Sequence, residues 1–234
     1  MTHPLVSVIC PTYNRREFLP YLIYMFNYQT YPKHRRELII LDDSPTSNLD
    51  VIEKYNVDKN IKYKHLPEKV KLGKKRNMLN SMVTGEYAVC MDDDDYYPPE
   101  RVSHAITVLV ARKGLIAGCS EMYIYFTKLD AIYNFKKIGN HHSTNGTFAY
   151  HKSIIADYKY DDTAICGEEK HFLKDYTAPM IQLNPLKSMI CMCHSTNTFD
   201  KNIILPNLTK LSLKLKKEVK DKYLMDWFTA LATK

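Results

Sequence analysis

The stretch Tyr87-Ala88-Val89-Cys90-Met91-Asp92-Asp93-Asp94-Asp95-Tyr96-Tyr97-Pro98-Pro99 decides how this chain is read. Its first five residues form an apolar run of strand length, and four carboxylates follow it without a break. Adjacent carboxylates repel one another, so the folded chain must offset that cost with partners. A buried strand that ends in this way asks for a cation at its carboxyl end.

The residues before it alternate in type. Leu5 to Cys10 reads as a buried strand, and Arg16 to Gln29 is periodic enough for a helix that Tyr31-Pro32 ends. Glu37 to Leu41 is a second strand running into Asp42-Asp43-Ser44-Pro45, and Asn48 to Tyr55 a short helix. Ile61 to Leu66 is a third strand, Lys74 to Val83 a helix, and Tyr87 to Met91 the fourth strand. Alternation at this spacing predicts βαβ units with right-handed crossovers, hence an α/β fold on a mostly parallel sheet. Ligands of such sheets bind beyond the carboxyl ends of the strands. Strand one ends in Pro11-Thr12-Tyr13-Asn14-Arg15, strand two in Asp42-Asp43-Ser44 and strand four in Asp92 to Asp95, so three polar clusters are expected on one edge. Taken alone, Asp42 and Asp43 read as readily as a turn or a helix cap.

Composition bounds the rest. At 234 residues, 45% hydrophobic and 25% charged, the chain can bury a sizeable core. Its longest apolar runs fall far short of the roughly 20 residues of a membrane span. Met1-Thr2-His3-Pro4 has no signal-peptide layout, so a cytoplasmic protein is expected. The six cysteines sit mostly in apolar segments and read as reduced core residues; Cys191-Met192-Cys193-His194 is metal-like but has no partner cluster. Net charge is +7, and residues 201–234 carry most of it, with eight lysines against three acidic residues. The remainder is close to neutral, which argues against nucleic acid as a partner. In the tail Leu208, Leu211, Leu215, Val219, Tyr223 and Trp227 recur at helical spacing between lysines. That describes a basic amphipathic helix, packed on its own domain or meeting a membrane surface or a partner.

The aspartates allow a chemical reading. In an extended Asp92-x-Asp94 both carboxylates point the same way and can approach one hard cation. Calcium of the EF-hand type is excluded by spacing, because Tyr97 stands where glycine is required and Ser103 where the bidentate glutamate belongs. Mg²⁺ or Mn²⁺ held by one or two carboxylates completes its sphere with water and substrate phosphates.

These segments together resemble family 2 glycosyltransferases of the GT-A fold. The likeness rests on Val6 to Arg15 with its PTYNR, Leu41-Asp42-Asp43-Ser44, Gly73-Lys74-Lys75-Arg76-Asn77, Gly85-Glu86-Tyr87, and Met91 to Asp95 with Pro99. It continues through Asn145-Gly146-Thr147-Phe148, Gly167-Glu168-Glu169-Lys170-His171-Phe172 and His194-Ser195-Thr196-Asn197-Thr198, and so covers roughly residues 4–200. The implied organisation is a domain over residues 1–200 and a basic C-terminal helix over 201–234. Within the domain, residues 1–99 would hold the nucleotide-sugar and 100–200 would face the acceptor.

The resemblance implies an inverting transfer from a nucleotide-diphosphate sugar, expected to be UDP-linked, to a hydroxyl of a glycan or glycoconjugate. Pro11, Thr12, Tyr13 and Arg15 would line the nucleotide pocket, Asp43 would accept from the base, and Arg76 would meet base or diphosphate. Asp92 to Asp94 would carry the D-x-D motif, with Asp93 beside the donor, Asp94 the direct ligand of Mn²⁺ or Mg²⁺ and His194 a late ligand to the metal or the diphosphate. The family's catalytic base sits in an "ED" motif; here that reads Glu168-Glu169, a departure, and registering Phe172 three residues on selects Glu169, with Glu168 the second choice. The aromatic stretch Met122 to Phe126 and the region on to His141-His142 are expected to form acceptor-side surface. Two other classes fit parts of the pattern. A sugar-nucleotidyltransferase would need a glycine- and arginine-rich loop after strand one, and PTYNR has no glycine. A non-catalytic carbohydrate- or partner-binding module would not need the acidic pair after Gly167.

Overall fold

The structure is a computed structural model that describes residues 3–233. The first half follows the sequence pattern closely: β1 (Val6–Thr12), α1 (Leu19–Asn27), β2 (Arg36–Asp42), α2 (Leu49–Tyr55), β3 (Ile61–His65), α3 (Leu72–Met82) and β4 (Tyr87–Cys90). β1 and β2 are buried along their whole length, as strands covered on both faces must be, whereas β3 alternates because it is an edge. α1 turns Leu19, Leu22, Ile23 and Phe26 onto the sheet, and Pro20 sits in its first turn, where a missing N–H costs nothing.

Beyond the aspartates come α4 (Arg101–Ala111), β5 (Ile116–Gly118), β6 (Met122–Phe126), β7 (Ala131–Phe135), β8 (Ala149–His151), α5 (Glu169–Phe172), β9 (Ile181–Gln182) and β10 (Ile190–Cys193). The main sheet has seven strands in the order β3-β2-β1-β4-β8-β5-β9. β3, β2, β1 and β4 are mutually parallel, and β8 alone runs against its neighbours. The mostly parallel α/β sheet expected from the sequence is therefore present.

A second sheet, β10-β6-β7-β11, is completed by β11 (Thr209–Lys210), which pairs antiparallel to β7. The tail then forms α6 (Leu215–Glu218) and α7 (Lys222–Ala230). The C-terminal helix exists, but the three- and four-residue spacing from Leu208 to Trp227 spans a strand and two helices instead of one. Its apolar members are used internally. Leu215, Val219, Leu224, Trp227 and Phe228 join the main core, and the Trp227 ring stacks on Tyr21 at 4.1 Å and 10°. This settles the packing of the apolar face on the chain's own domain. A stacked pair of this kind adds about 0.5–1.5 kcal/mol to simple burial. Among the described residues no helix is long and apolar enough to cross a membrane.

The second sheet also changes the reading of the aromatic stretch. Ile124, Tyr125 and Phe126 are buried in the core, so only the start of β6, at Met122, reaches the cleft described next. Hydrophobic packing between sheets has taken side chains expected on an acceptor surface. His141 and His142 bond to the Ala178 carbonyl and to Ser120 Oγ, and neither pairs with a carboxylate among the described residues. The six cysteines are free thiols, and five are buried.

Candidate active site

Over the carboxyl ends of β1 and β4 lies a cleft of about 920 Å³. Its wall includes Pro11, Thr12, Tyr13 and Arg15 from the end of β1, Arg76 from α3, all four aspartates and the Glu168-Glu169 pair. Of the three sequence clusters expected on one edge, those ending β1 and β4 line the cleft, and none of Asp42, Asp43 and Ser44 at the end of β2 does. Asp43 and His194 stand behind the wall rather than on it.

The aspartates do not lie in an extended segment; Asp93 and Asp94 form a turn. The alternation that would point Asp92 and Asp94 the same way is therefore absent, and the four side chains fan out to different partners. Asp92 Oδ1 accepts from Arg76 Nη2 at 3.2 Å. Asp93 Oδ2 accepts from Thr12 Oγ1 at 2.5 Å. Asp94 Oδ2 accepts from Arg15 Nη2 at 3.3 Å and Asn197 Nδ2 at 3.1 Å, with His194 Nε2 3.3 Å away. Asp95 Oδ1 accepts from the Met192 amide at 2.8 Å. This is how the chain tolerates four adjacent carboxylates.

Their protonation diverges accordingly. Burial pushes Asp93 well up, and the neighbouring Asp94 charge adds to it. Burial and Asp94 likewise raise Asp95 to about 7. Asp94 is held below the ordinary carboxylate range, because the bond from His194 and the charges of Lys201 and Arg15 outweigh its own desolvation. Of the four, Asp94 alone is shifted toward its ionised form.

At the nucleotide end, Asp42 is a structural residue, accepting from Ser44, Asn48 and Tyr63, as a turn residue would. Asp43 accepts from the Val70 amide at 2.8 Å and from the Lys75 ammonium, and Lys75 also bonds to the Thr12 carbonyl at 3.0 Å. Lys75 lines the cleft, so the link from Asp43 to the cleft runs through it. Lys69 lies 3.9 Å over the Tyr13 ring, a cation–π contact on the same wall.

At the far end the acidic pair is split by one arginine. Arg76 Nε donates to Glu168 Oε1 at 2.5 Å, and both side chains are almost fully buried. Glu169 has no ion-pair partner among the described residues. Its carboxyl is raised to about 7, first by burial and then by the charge of Glu168. The loop that delivers the pair is anchored on α3. The Gly73 amide donates to the Ala164 carbonyl, and a Cβ on Gly73 would stand 1.9 Å from the Asp161 carbonyl oxygen. Gly167, just before the pair, has φ of +63°, where a side chain is strained.

Among the described residues no three His, Cys, Asp or Glu side chains converge as a metal cage. The donor set nevertheless suits a hard cation with an open sphere. Arg76 takes one oxygen of Asp92, and the partners of Asp94 converge on one of its oxygens, leaving the other oxygen of each, on residues that line the cleft, without a hydrogen bond among the described residues. Sequence reasoning missed Lys69, Lys75, Asn197 and Lys201 as wall residues. Lys75 was visible inside Gly73-Lys74-Lys75-Arg76-Asn77, but Lys201 was absorbed into the count of tail lysines.

A parallel sheet whose carboxyl edge gathers a β1 loop, an aspartate turn and a distal acidic pair is the arrangement of the GT-A glycosyltransferase fold. The sequence model for Glycosyl transferase family 2 matches residues 7–160, and the chain belongs to that family. Poly(ribitol-phosphate) beta-N-acetylglucosaminyltransferase TarS of Staphylococcus aureus strain Mu50 is 31% identical over 120 residues, covering 47% of this chain and 21% of TarS. Protein CgeD of Bacillus subtilis is 32% identical over 109 residues, covering 43% of this chain and 25% of CgeD. The matched part is thus about a quarter or less of the length of these curated relatives. Among solved structures, S. aureus TarS 1–349 in complex with UDP-GlcNAc is similar with a TM-score of 0.69 at 20% identity, over 82% of this chain and 60% of that one. Mannosyltransferase PcManGT from Pyrobaculum calidifontis in complex with GDP-Man and Mn²⁺ gives 0.67 at 14% identity, over 84% and 59%. These likenesses establish the fold.

Proposed function

We propose that this chain is an inverting glycosyltransferase that moves a sugar from a UDP-linked donor to a hydroxyl of a glycan or glycoconjugate, with Glu169 as the base. The observation that carries the proposal is the division of labour in the acidic pair. Glu168 is ion-paired with Arg76, while Glu169 stands in the same cleft as the aspartates with no ion-pair partner among the described residues and raised to about 7. A base poised near the working pH is the one that transfers protons efficiently.

The acceptor oxygen attacks the anomeric carbon from the Glu169 side, and its proton passes to the Glu169 carboxylate. The bond from that carbon to the diphosphate breaks, and its electron pair leaves on the β-phosphate oxygen. Asp92 and Asp94, with His194 behind Asp94, would hold Mn²⁺ or Mg²⁺. When bound, that ion would neutralise the departing diphosphate. Thr12 fixes Asp93, and Arg15 fixes both Asp94 and the Thr196 backbone, so this end of the cleft is organised before the donor arrives. Tyr13, Lys69 and the Lys75–Asp43 pair supply an aromatic face and charged groups for a base. The UDP-GlcNAc bound to the fold neighbour TarS supports uridine as the nucleotide.

The test is thermal denaturation with and without UDP and Mn²⁺, followed by release of UDP from UDP-GlcNAc. A rise in Tm with UDP and Mn²⁺ together and slow release of UDP are expected. Absence of both, across UDP-, GDP- and dTDP-sugars, would overturn the proposal.

A further inference from the structure

Five cationic side chains among the described residues line the cleft, and four of them are engaged. Arg15 pairs with Asp94, Lys75 with Asp43, and Arg76 with Asp92 and Glu168, while Lys69 lies over Tyr13. The fifth, Lys201, lines the aspartate end of the cleft and forms no ion pair or hydrogen bond through its ammonium among the described residues. It is only partly exposed. Burial works against its charge, yet the nearby carboxylates of Asp95 and Asp94 act in the opposite sense and its pKa is raised.

Its backbone is held from both sides. Upstream, Arg15 donates to Thr196, and Asn197 donates to Asp94 at 3.1 Å. At the residue itself a tight turn begins, in which the Asp200 side chain accepts from the Asn202 amide at 3.0 Å. A lysine half-buried on this anchored segment has lost part of its solvation and gained no direct partner in return. Such a group is set for an anion that arrives from outside.

We propose that Lys201 is a catalytic residue that contacts the β-phosphate of the nucleotide-diphosphate donor and receives the negative charge left on it when the sugar departs. This rests on the reading of the chain as a nucleotide-sugar transferase. It also makes the C-terminal segment part of the active site, although the family match ends at residue 160. The alternative, a lysine that only relieves repulsion within the acidic turn, would act equally on every ligand of the cleft.

The two are separated by titrating UDP and UMP, each with Mn²⁺, into the parent, Lys201→Met and Lys201→Arg proteins. A charge-assisted hydrogen bond lost from the β-phosphate corresponds to about tenfold or more in affinity. Lys201→Met is therefore expected to weaken UDP about tenfold or more, leave UMP near the parent value and slow UDP release from UDP-GlcNAc, and Lys201→Arg to recover UDP binding. Equal loss for UDP and UMP, or no loss for either, overturns the role of Lys201 while leaving the transferase reading intact. A parent protein that binds UMP and UDP alike overturns it as well. If the parent binds neither nucleotide, the transferase reading falls and this inference with it.

Discussion

Arg76 donates to Glu168 at 2.5 Å inside the protein and reaches Asp92 with the other end of its guanidinium, at 3.2 Å. One side chain thus ties the aspartate turn to the acidic pair across the cleft. Removing one member of a buried pair leaves the other charge uncompensated, which typically costs about 3–5 kcal/mol. Glu168→Gln keeps the shape and some hydrogen bonding, so a smaller loss is expected. Thermal denaturation should show a clearly lower Tm for Glu168→Ala and an intermediate value for Glu168→Gln; unchanged Tm in both would mean that the pair holds nothing together.

The pH dependence follows from Glu169. Its carboxyl is raised to about 7, and only the deprotonated form can take the acceptor proton, so kcat/KM should rise with pH through about 7 and level off above it. Glu168 is the second cause of that rise, after burial. In Glu168→Gln the midpoint should move to lower pH. A pH-rate profile on the two proteins checks both statements, and a midpoint that moves upward would contradict the assigned cause.

Asp94 is expected to carry the metal-dependent part of donor binding. In titrations of UDP with and without Mn²⁺, Asp94→Ala should abolish most of the gain that Mn²⁺ gives the parent. A gain of the same size in the variant would remove Asp94 from the metal site.

Asp43 should matter without any metal. Asp43→Asn removes the charge that holds the Lys75 ammonium at the cleft wall, and uridine affinity measured in chelator should fall by about tenfold, the scale of one charge-assisted bond. If only the Mn²⁺-dependent part of UDP binding falls, Asp43 and Lys75 do not serve the base.

Much of this was legible in the sequence, and the parts that were not share a cause. The strands and helices from Val6 to Cys90 lie within a few residues of where hydrophobic alternation puts them, because buried parallel strands leave an unambiguous apolar signal. The aspartate cluster was found by its charge, but its turn was not, since repulsion among four carboxylates favours the geometry that gives each its own partner. The helical period from Leu208 to Trp227 was misleading as a pattern of backbone and only partly a pattern of burial: β11 and two helices place Leu215, Val219 and Trp227 in the core and Leu208 and Leu211 against it, while Tyr223 is exposed. Lys75 and Lys201 act through long-range placement: Asp43 is 32 residues from Lys75, and Lys201 reaches the cleft from the tail. No local spacing encodes such contacts.

Glu169, and not Glu168, is expected to take the acceptor proton. This is tested most directly by comparing the transfer rates of Glu169→Gln and Glu168→Gln from UDP-GlcNAc at saturating donor, with UDP–Mn²⁺ affinity measured alongside. Glu169→Gln should lose about 10²–10⁴ in rate while holding UDP–Mn²⁺ near the parent affinity, and Glu168→Gln should keep much more of its activity. The reverse order would make Glu168 the base, and full activity in both proteins would contradict the account.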